Sequence, residues 1–143
     1  MIVADTDVLI DALRGREPAR TRIATIIGSG RFATTAISAF ELLAGARSAN
    51  ERSRVESLLA VATVLPLDEA AAREAGAVAR ELAAAGSGIN EQGINEQGAE
   101  GRAFGPADHL IAGICRHASA ALLTRNRTRF ERVTGLRLAS LEG

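Results

Sequence analysis

The 143-residue chain sets 17 basic against 17 acidic residues and is 47% hydrophobic, which suits one globular domain and leaves no overall positive field to draw in nucleic acid. None of the basic residues is lysine, so mechanisms that need an ammonium group are excluded, and an aromatic content of 3% argues against a dedicated single-strand stacking module. A single cysteine, Cys115, excludes an internal disulfide and a thiolate zinc cage. No apolar run approaches the ~20 residues of a membrane helix and no signal-like segment is seen, so a cytoplasmic protein with no membrane partner is expected.

Ile2-Val3-Ala4 reads as a short buried strand that delivers Asp5 to its end, and Thr6-Asp7 turn the chain into a helix over 8–13. Thr6 and Asp7 have a sufficient role as caps and turn residues. Asp5 does not, because a strand residue need not be a carboxylate, and ligands of open α/β folds bind at the carboxyl ends of strands. A second helix is predicted from Pro18 to the Gly28-Ser29-Gly30 break, with Ile23, Ile26 and Ile27 on one face. A second strand is predicted over 31–37.

Ser38-Ala39-Phe40-Glu41 has the form of a capping box, which would explain Glu41 structurally. Glu41 also falls where a helix follows a strand, on the edge that holds Asp5 if the strands are parallel. Both readings stand at this point. A further helix capped by Asn50 places Val55, Leu58, Leu59 and Ala62 inward. An extended segment over 63–67 follows, and Asp68 opens an alanine-rich helix over 69–85.

The pentapeptide Gly88-Ile89-Asn90-Glu91-Gln92 then repeats at 93–97, among closely spaced glycines. This predicts a flexible loop, with a lid beside the site as its functional alternative. Pro106 fits the first position of a new helix and puts Asp108 in its first turn, with Leu110, Ile111, Ile114 and Cys115 inward. His109 reads as a solvated or supporting residue rather than a general base. A buried strand over 120–124 delivers Arg125-Asn126, and a helical turn near Phe130 and an edge strand over 136–138 end the chain. Strands alternating with helices predict an α/β fold with a parallel sheet covered on both faces.

In such a sheet Asp5, Glu41 and Asp108 share one edge. Three uncompensated carboxylates would repel, and a divalent cation removes that penalty. Hard oxygen donors without cysteine or paired histidines select Mg2+ or Mn2+ over zinc. Thr6, Thr124 and Asn126 are candidates to support the acids, either as neutral oxygen ligands or by orienting them. Such a site suits phosphodiester hydrolysis, and Arg125, Arg127 and Arg129 form a local basic cluster fit for a phosphate backbone.

These residues carry a family resemblance. The segments Asp5-Thr6-Asp7-Val8-Leu9-Ile10-Asp11, Thr34 to Gly45, Pro106-Ala107-Asp108-His109-Leu110-Ile111-Ala112-Gly113, Leu123-Thr124-Arg125-Asn126 and Phe130 to Leu136 resemble PIN-domain proteins of the VapC toxin type, in order along nearly the whole chain. The resemblance implies a three-layer α/β/α PIN-like domain over 1–143 with a central, mostly parallel sheet. It further implies a metal-dependent endoribonuclease, the toxin of a toxin–antitoxin pair, held in check by a VapB-like antitoxin and commonly dimeric. The family's first three acids map onto Asp5, Glu41 and Asp108. Asn126 stands where many relatives carry a fourth acid, which leaves one ion or two open. Residues 90–104 look inserted, since Ile89 joined to Gly105 restores the usual spacing.

Two other expectations compete. Asp5-Thr6-Asp7-Val8-Leu9 also satisfies the nucleophile motif of haloacid dehalogenase-type phosphatases, in which Asp5 would attack phosphorus, but such enzymes place a lysine on the phosphoryl group and this chain has none. A catalytically weak PIN-like protein that binds RNA or a partner without cleaving is the other.

Overall fold

A computed structural model describes residues 1–86 and 104–143. Four short strands, β1 (Ile2–Ala4), β2 (Phe32–Thr35), β3 (Thr63–Leu65) and β4 (Ala121–Leu123), form one sheet in the order β3-β2-β1-β4. Every pairing is parallel: Ile2 lies opposite Phe32 on one side and Ala121 on the other, and Thr35 lies opposite Leu65. The first strand of the chain is therefore central. Parallel neighbours require crossovers, and helices provide them: α1 (Thr6–Leu13), α2 (Ala19–Gly28), α3 (Ala36–Gly45), α4 (Ala49–Ala60), α5 (Glu69–Ala84), α6 (Pro106–His117) and the short α7 (Arg127–Phe130).

The period-two alternation of β1 divides the core. Ile2 and Ala4 join Val8, Leu9, Ile23, Ile26, Leu42 and Val55 on the face covered by α1 to α4. Val3 points the other way and joins Val78, Leu82, Ile111, Cys115 and Phe130 of α5, α6 and α7. The three-layer α/β/α architecture expected from the sequence follows from this split. Cys115 is fully buried, and burial pushes its thiol well above the ordinary range, so it behaves as a small hydrophobe.

Helices α5 and α6 lie against each other at Gly113. A Cβ built at Gly113 would come within 2.5 Å of the Cα, Cβ and N of Ala75, so the absence of a side chain is what permits the contact. Arg116, from the last turn of α6, bridges to Glu74 and Glu81 of α5 and donates to the Thr134 carbonyl at 3.0 Å.

Three expectations are corrected. The second strand ends at Thr35, not at residue 37, and Thr35 is the helix cap: its Oγ1 accepts the Ser38 amide at 3.1 Å. Ser38 therefore makes no capping box with Glu41. Helix α4 is capped by Ser48, whose Oγ accepts the Glu51 amide at 3.1 Å, two residues before Asn50. The expected last strand is one parallel bridge between Leu122 and Leu138, held by Leu122 N to Arg137 O and Ala139 N to Leu122 O, both 2.8 Å. Of the expected insert, 90–103 lies outside the described residues; Phe104 is half-buried against Phe130, ring centroids 5.2 Å apart. Among the described residues no helix is long and apolar enough to cross a membrane.

Candidate active site

The carboxyl ends of β1 and β4 and the starts of α1 and α6 open onto one cavity of about 580 Å³, with Asp5, Thr6, Asp7, Asp11, Glu41 and Asp108 in its wall. Arg14, Arg16 and Arg125 also line it. Five carboxylates face three guanidinium groups, so the interior is acidic, and a phosphodiester would be repelled unless a cation entered with it.

Asp5 closes β1 and caps α1. Its Oδ1 accepts the Thr6 amide at 2.8 Å and its Oδ2 accepts the Thr124 hydroxyl, at the end of neighbouring β4, at 2.7 Å. The side chain is 5% exposed, and burial first, then the neighbouring charge of Asp7, push its carboxyl up to about 6. The two hydrogen bonds oppose that rise, and Asp108 adds a smaller push upward.

Glu41 sits in the middle of α3, beyond its first turn, and its Oε1 accepts the Thr6 hydroxyl at 2.7 Å. That hydroxyl is also 2.8 Å from Ser38 Oγ. Since the carboxylate can only accept, Thr6 spends its one proton on Glu41 and the serine hydroxyl supplies the other. Asp108 is the third residue of α6. Its Oδ2 accepts the Gly105 amide at 3.1 Å and Arg129 Nη2 at 3.0 Å.

The supporting residues divide their work. Thr124 orients Asp5, and its Oγ1 accepts the Asn126 amide at 3.1 Å. The Asn126 side chain donates to Asp7 Oδ2 at 3.1 Å, so it fixes a neighbouring acid. Arg125 reaches Asp11 at 3.2 Å and Asp7 at 3.8 Å. Arg127 turns away and donates to the Ala139 carbonyl at 2.7 Å, while Arg129 is drawn to Asp108. The half-buried His109 packs edge-on to Phe104 at 4.9 Å, and burial lowers its imidazole pKa against the opposing pull of Asp108.

Sequence reasoning overlooked Asp11, Arg14 and Arg16 and gave Asp7 a turn or supporting role, although Asp7 is 7% exposed within the cavity wall. The signal was available: Asp7 and Asp11 are four residues apart on α1, hence on one face.

The acids share a wall without forming a cage. Among the described residues no three His, Cys, Asp or Glu side chains are gathered tightly enough to hold an ion; Asp5, Glu41 and Asp108 are each turned to a donor of their own. The donor set nonetheless fits a hard divalent cation. It is all oxygen, and it includes a buried carboxyl whose pKa is raised by burial first and by the charge of Asp7 second, a cost that a bound cation would offset.

Comparison with known proteins gives concordant results. Residues 2–136 match the PIN domain family. The tRNA(fMet)-specific endonuclease VapC of Shigella flexneri is 30% identical over 137 residues, which cover 93% of this chain and 92% of that protein. The crystal structure of DNA-bound VapBC from Salmonella typhimurium superposes with a TM-score of 0.73 at 25% identity, covering 98% of this chain and 97% of the matched one. VapBC2 from Rickettsia felis, bound to a promoter DNA fragment, gives 0.76 at 20% identity over 97% and 98%, a likeness of fold.

Proposed function

The chain belongs to the PIN-domain family, among its VapC-type members, and on that premise we propose that it is a Mg2+- or Mn2+-dependent endoribonuclease, the toxin of a VapBC-type toxin–antitoxin pair. The observation that carries the reading is that Asp5, Glu41 and Asp108, 36 to 103 residues apart in sequence, line one acidic cavity at the carboxyl edge of a parallel sheet.

In this reading Asp5, Asp108 and Glu41 hold the ion. A bound divalent ion supplies positive charge to the phosphoryl oxygens and makes water acidic enough to attack. The chain supplies position. Thr124 and the Thr6 amide hold the two oxygens of Asp5, the Thr6 hydroxyl aims Glu41, and the Gly105 amide fixes Asp108. Arg14, Arg16 and Arg125 at the cavity wall are the candidates to steady the RNA backbone. The protein partner is a VapB-like antitoxin. A second copy of the chain would bury Phe40 and Leu43, exposed one turn apart on α3.

The test is cleavage of a fluorescent single-stranded RNA by purified protein freed of antitoxin. Cleavage is expected with Mg2+ or Mn2+ and none with chelator, by a protein that sizes as a dimer. RNA bound but left intact under every metal condition would favour the non-cleaving interaction protein instead. A phosphorylated Asp5 trapped during turnover would restore the phosphatase reading.

A further inference from the structure

Arg129 combines two contacts that no simple phosphate-binding arginine needs. Its Nη2 is 3.0 Å from Asp108 Oδ2, with the two side chains 21% and 17% exposed, so this ion pair is partly shielded from water. Its guanidinium carbon also lies 5.8 Å over the Phe104 ring. Phe104 in turn packs edge-on against Phe130, which is fully buried and ends α7, the helix that carries Arg129. The guanidinium is thus held from behind by an aromatic ring and aimed at one oxygen of one acid.

That oxygen belongs to an acid in the cavity wall. Among the described residues the two donors to Asp108, the Gly105 amide and Arg129, both use Oδ2, so Oδ1 is the oxygen that neither engages. A dication approaching Asp108 meets a carboxylate whose charge is already balanced by a fixed monocation 3.0 Å away. Repulsion between the two cations, in a half-buried setting, must weaken ion binding unless Arg129 withdraws.

We propose that Arg129 is a resident counterion for Asp108, a positioning residue that holds this acid ready in the ion-free protein and competes with the divalent metal for it. The inference rests on the metal-nuclease reading. It predicts an effect opposite in sign to that of a purely structural arginine: removing a structural anchor would let Asp108 wander and weaken ion binding, whereas removing a competing charge strengthens it.

The experiment is calorimetric titration of Mn2+ alone into wild type, Arg129→Gln and Arg129→Lys, each shown to unfold cooperatively. Arg129→Gln keeps donors for Asp108 and loses the charge, and is expected to bind Mn2+ about fivefold more tightly, the scale of one partly shielded ion pair. Arg129→Lys keeps the charge and is expected to bind within about twofold of wild type. Equal or weaker binding by Arg129→Gln overturns the proposal, as does a lysine variant that binds as tightly as the glutamine one. If Arg129→Gln does not fold, Phe104→Leu takes its place: it frees the guanidinium without changing charge, and unchanged or weaker Mn2+ binding by it overturns the proposal equally. Wild type that binds no Mn2+ would instead remove the metal-nuclease reading on which the proposal stands.

Discussion

Replacing Asp5 by Asn is expected to abolish RNA cleavage, by at least about 100-fold as for loss of other charge-stabilising groups in active sites, and at the same time to stabilise the metal-free protein. The stabilisation follows from the carboxyl's environment. Asp5 is buried beside Asp7, and its pKa rises from 3.8 to about 6, so the folded protein binds its proton more readily than the unfolded chain does. Between those two pH values stability falls as pH rises, and above about 6 the full cost of keeping a buried charge is present. A shift of this size corresponds to at most about 3 kcal/mol, and relaxation around the site reduces it, so a gain of about 1–3 kcal/mol at pH 7.5 is expected for Asp5→Asn.

Asparagine can be accommodated there. Its oxygen can accept the Thr6 amide, and its NH2 can donate to Thr124 Oγ1, a hydroxyl able to rotate and accept. Urea unfolding in chelator at pH 7.5 and pH 4 checks the prediction. The gain should be present at the first pH and gone at the second, where the wild-type carboxyl is protonated. A variant less stable than wild type at pH 7.5, or one with the same gain at both, would show that Asp5 carries no such burden.

Gly113→Ala is expected to be the most damaging single methyl in the described part of the fold. On an open helix surface the change would stabilise by up to about 1 kcal/mol. At Gly113 the new Cβ meets three atoms of Ala75, two of them backbone, at 2.5 Å, and no rotamer relieves a backbone contact. Helices α5 and α6 must separate, at a cost of about 3 kcal/mol or more. Because α6 also carries Asp108, cleavage should fall with stability. Gly76→Ala is the matched control on α5, since its Cβ would meet only the end of Arg80 at 3.6 Å. A lowered urea midpoint for Gly113→Ala beside an unchanged or raised one for Gly76→Ala is the expected pair of results; a Gly113→Ala midpoint at or above that of wild type would contradict the close approach.

Local signals in the sequence carried a good part of this structure. Pro106 followed by Asp108 announces a helix start by rules that operate within one turn, and α6 begins at Pro106 with Asp108 reaching back to the Gly105 amide. Ile2-Val3-Ala4 followed by an acid announces a buried strand that carries an acid to the sheet edge, and β1 delivers Asp5 to the cavity wall. The Ser38 box failed because Thr35 offers an equivalent hydroxyl three residues earlier, and the choice between them is made by pairing with β3, which ends at Thr35 opposite Leu65. With the serine amide taken by Thr35, Glu41 is left to Thr6, and its structural explanation lapses.

Arginine partners were illegible for a related reason. The Arg129 to Asp108, Arg125 to Asp11 and Arg127 to Ala139 contacts join elements brought together only by the sheet order, and a long side chain with several rotamers records none of this in local sequence. The sequence reading treated the three arginines as one phosphate-facing cluster. In the fold one binds the acids of α1, one a C-terminal carbonyl, and one the acid of α6.

The central claim is that Asp5, Glu41 and Asp108 act as a single divalent-ion centre, and the most direct measurement is calorimetric titration of Mn2+ into wild type and into Asp5→Asn, Glu41→Gln and Asp108→Asn. Wild type is expected to bind, and each variant to lose at least about tenfold in affinity, the scale at which even residues that only support a metal's ligands are felt. Wild type that binds no ion, or three variants that all bind as wild type does, would contradict it.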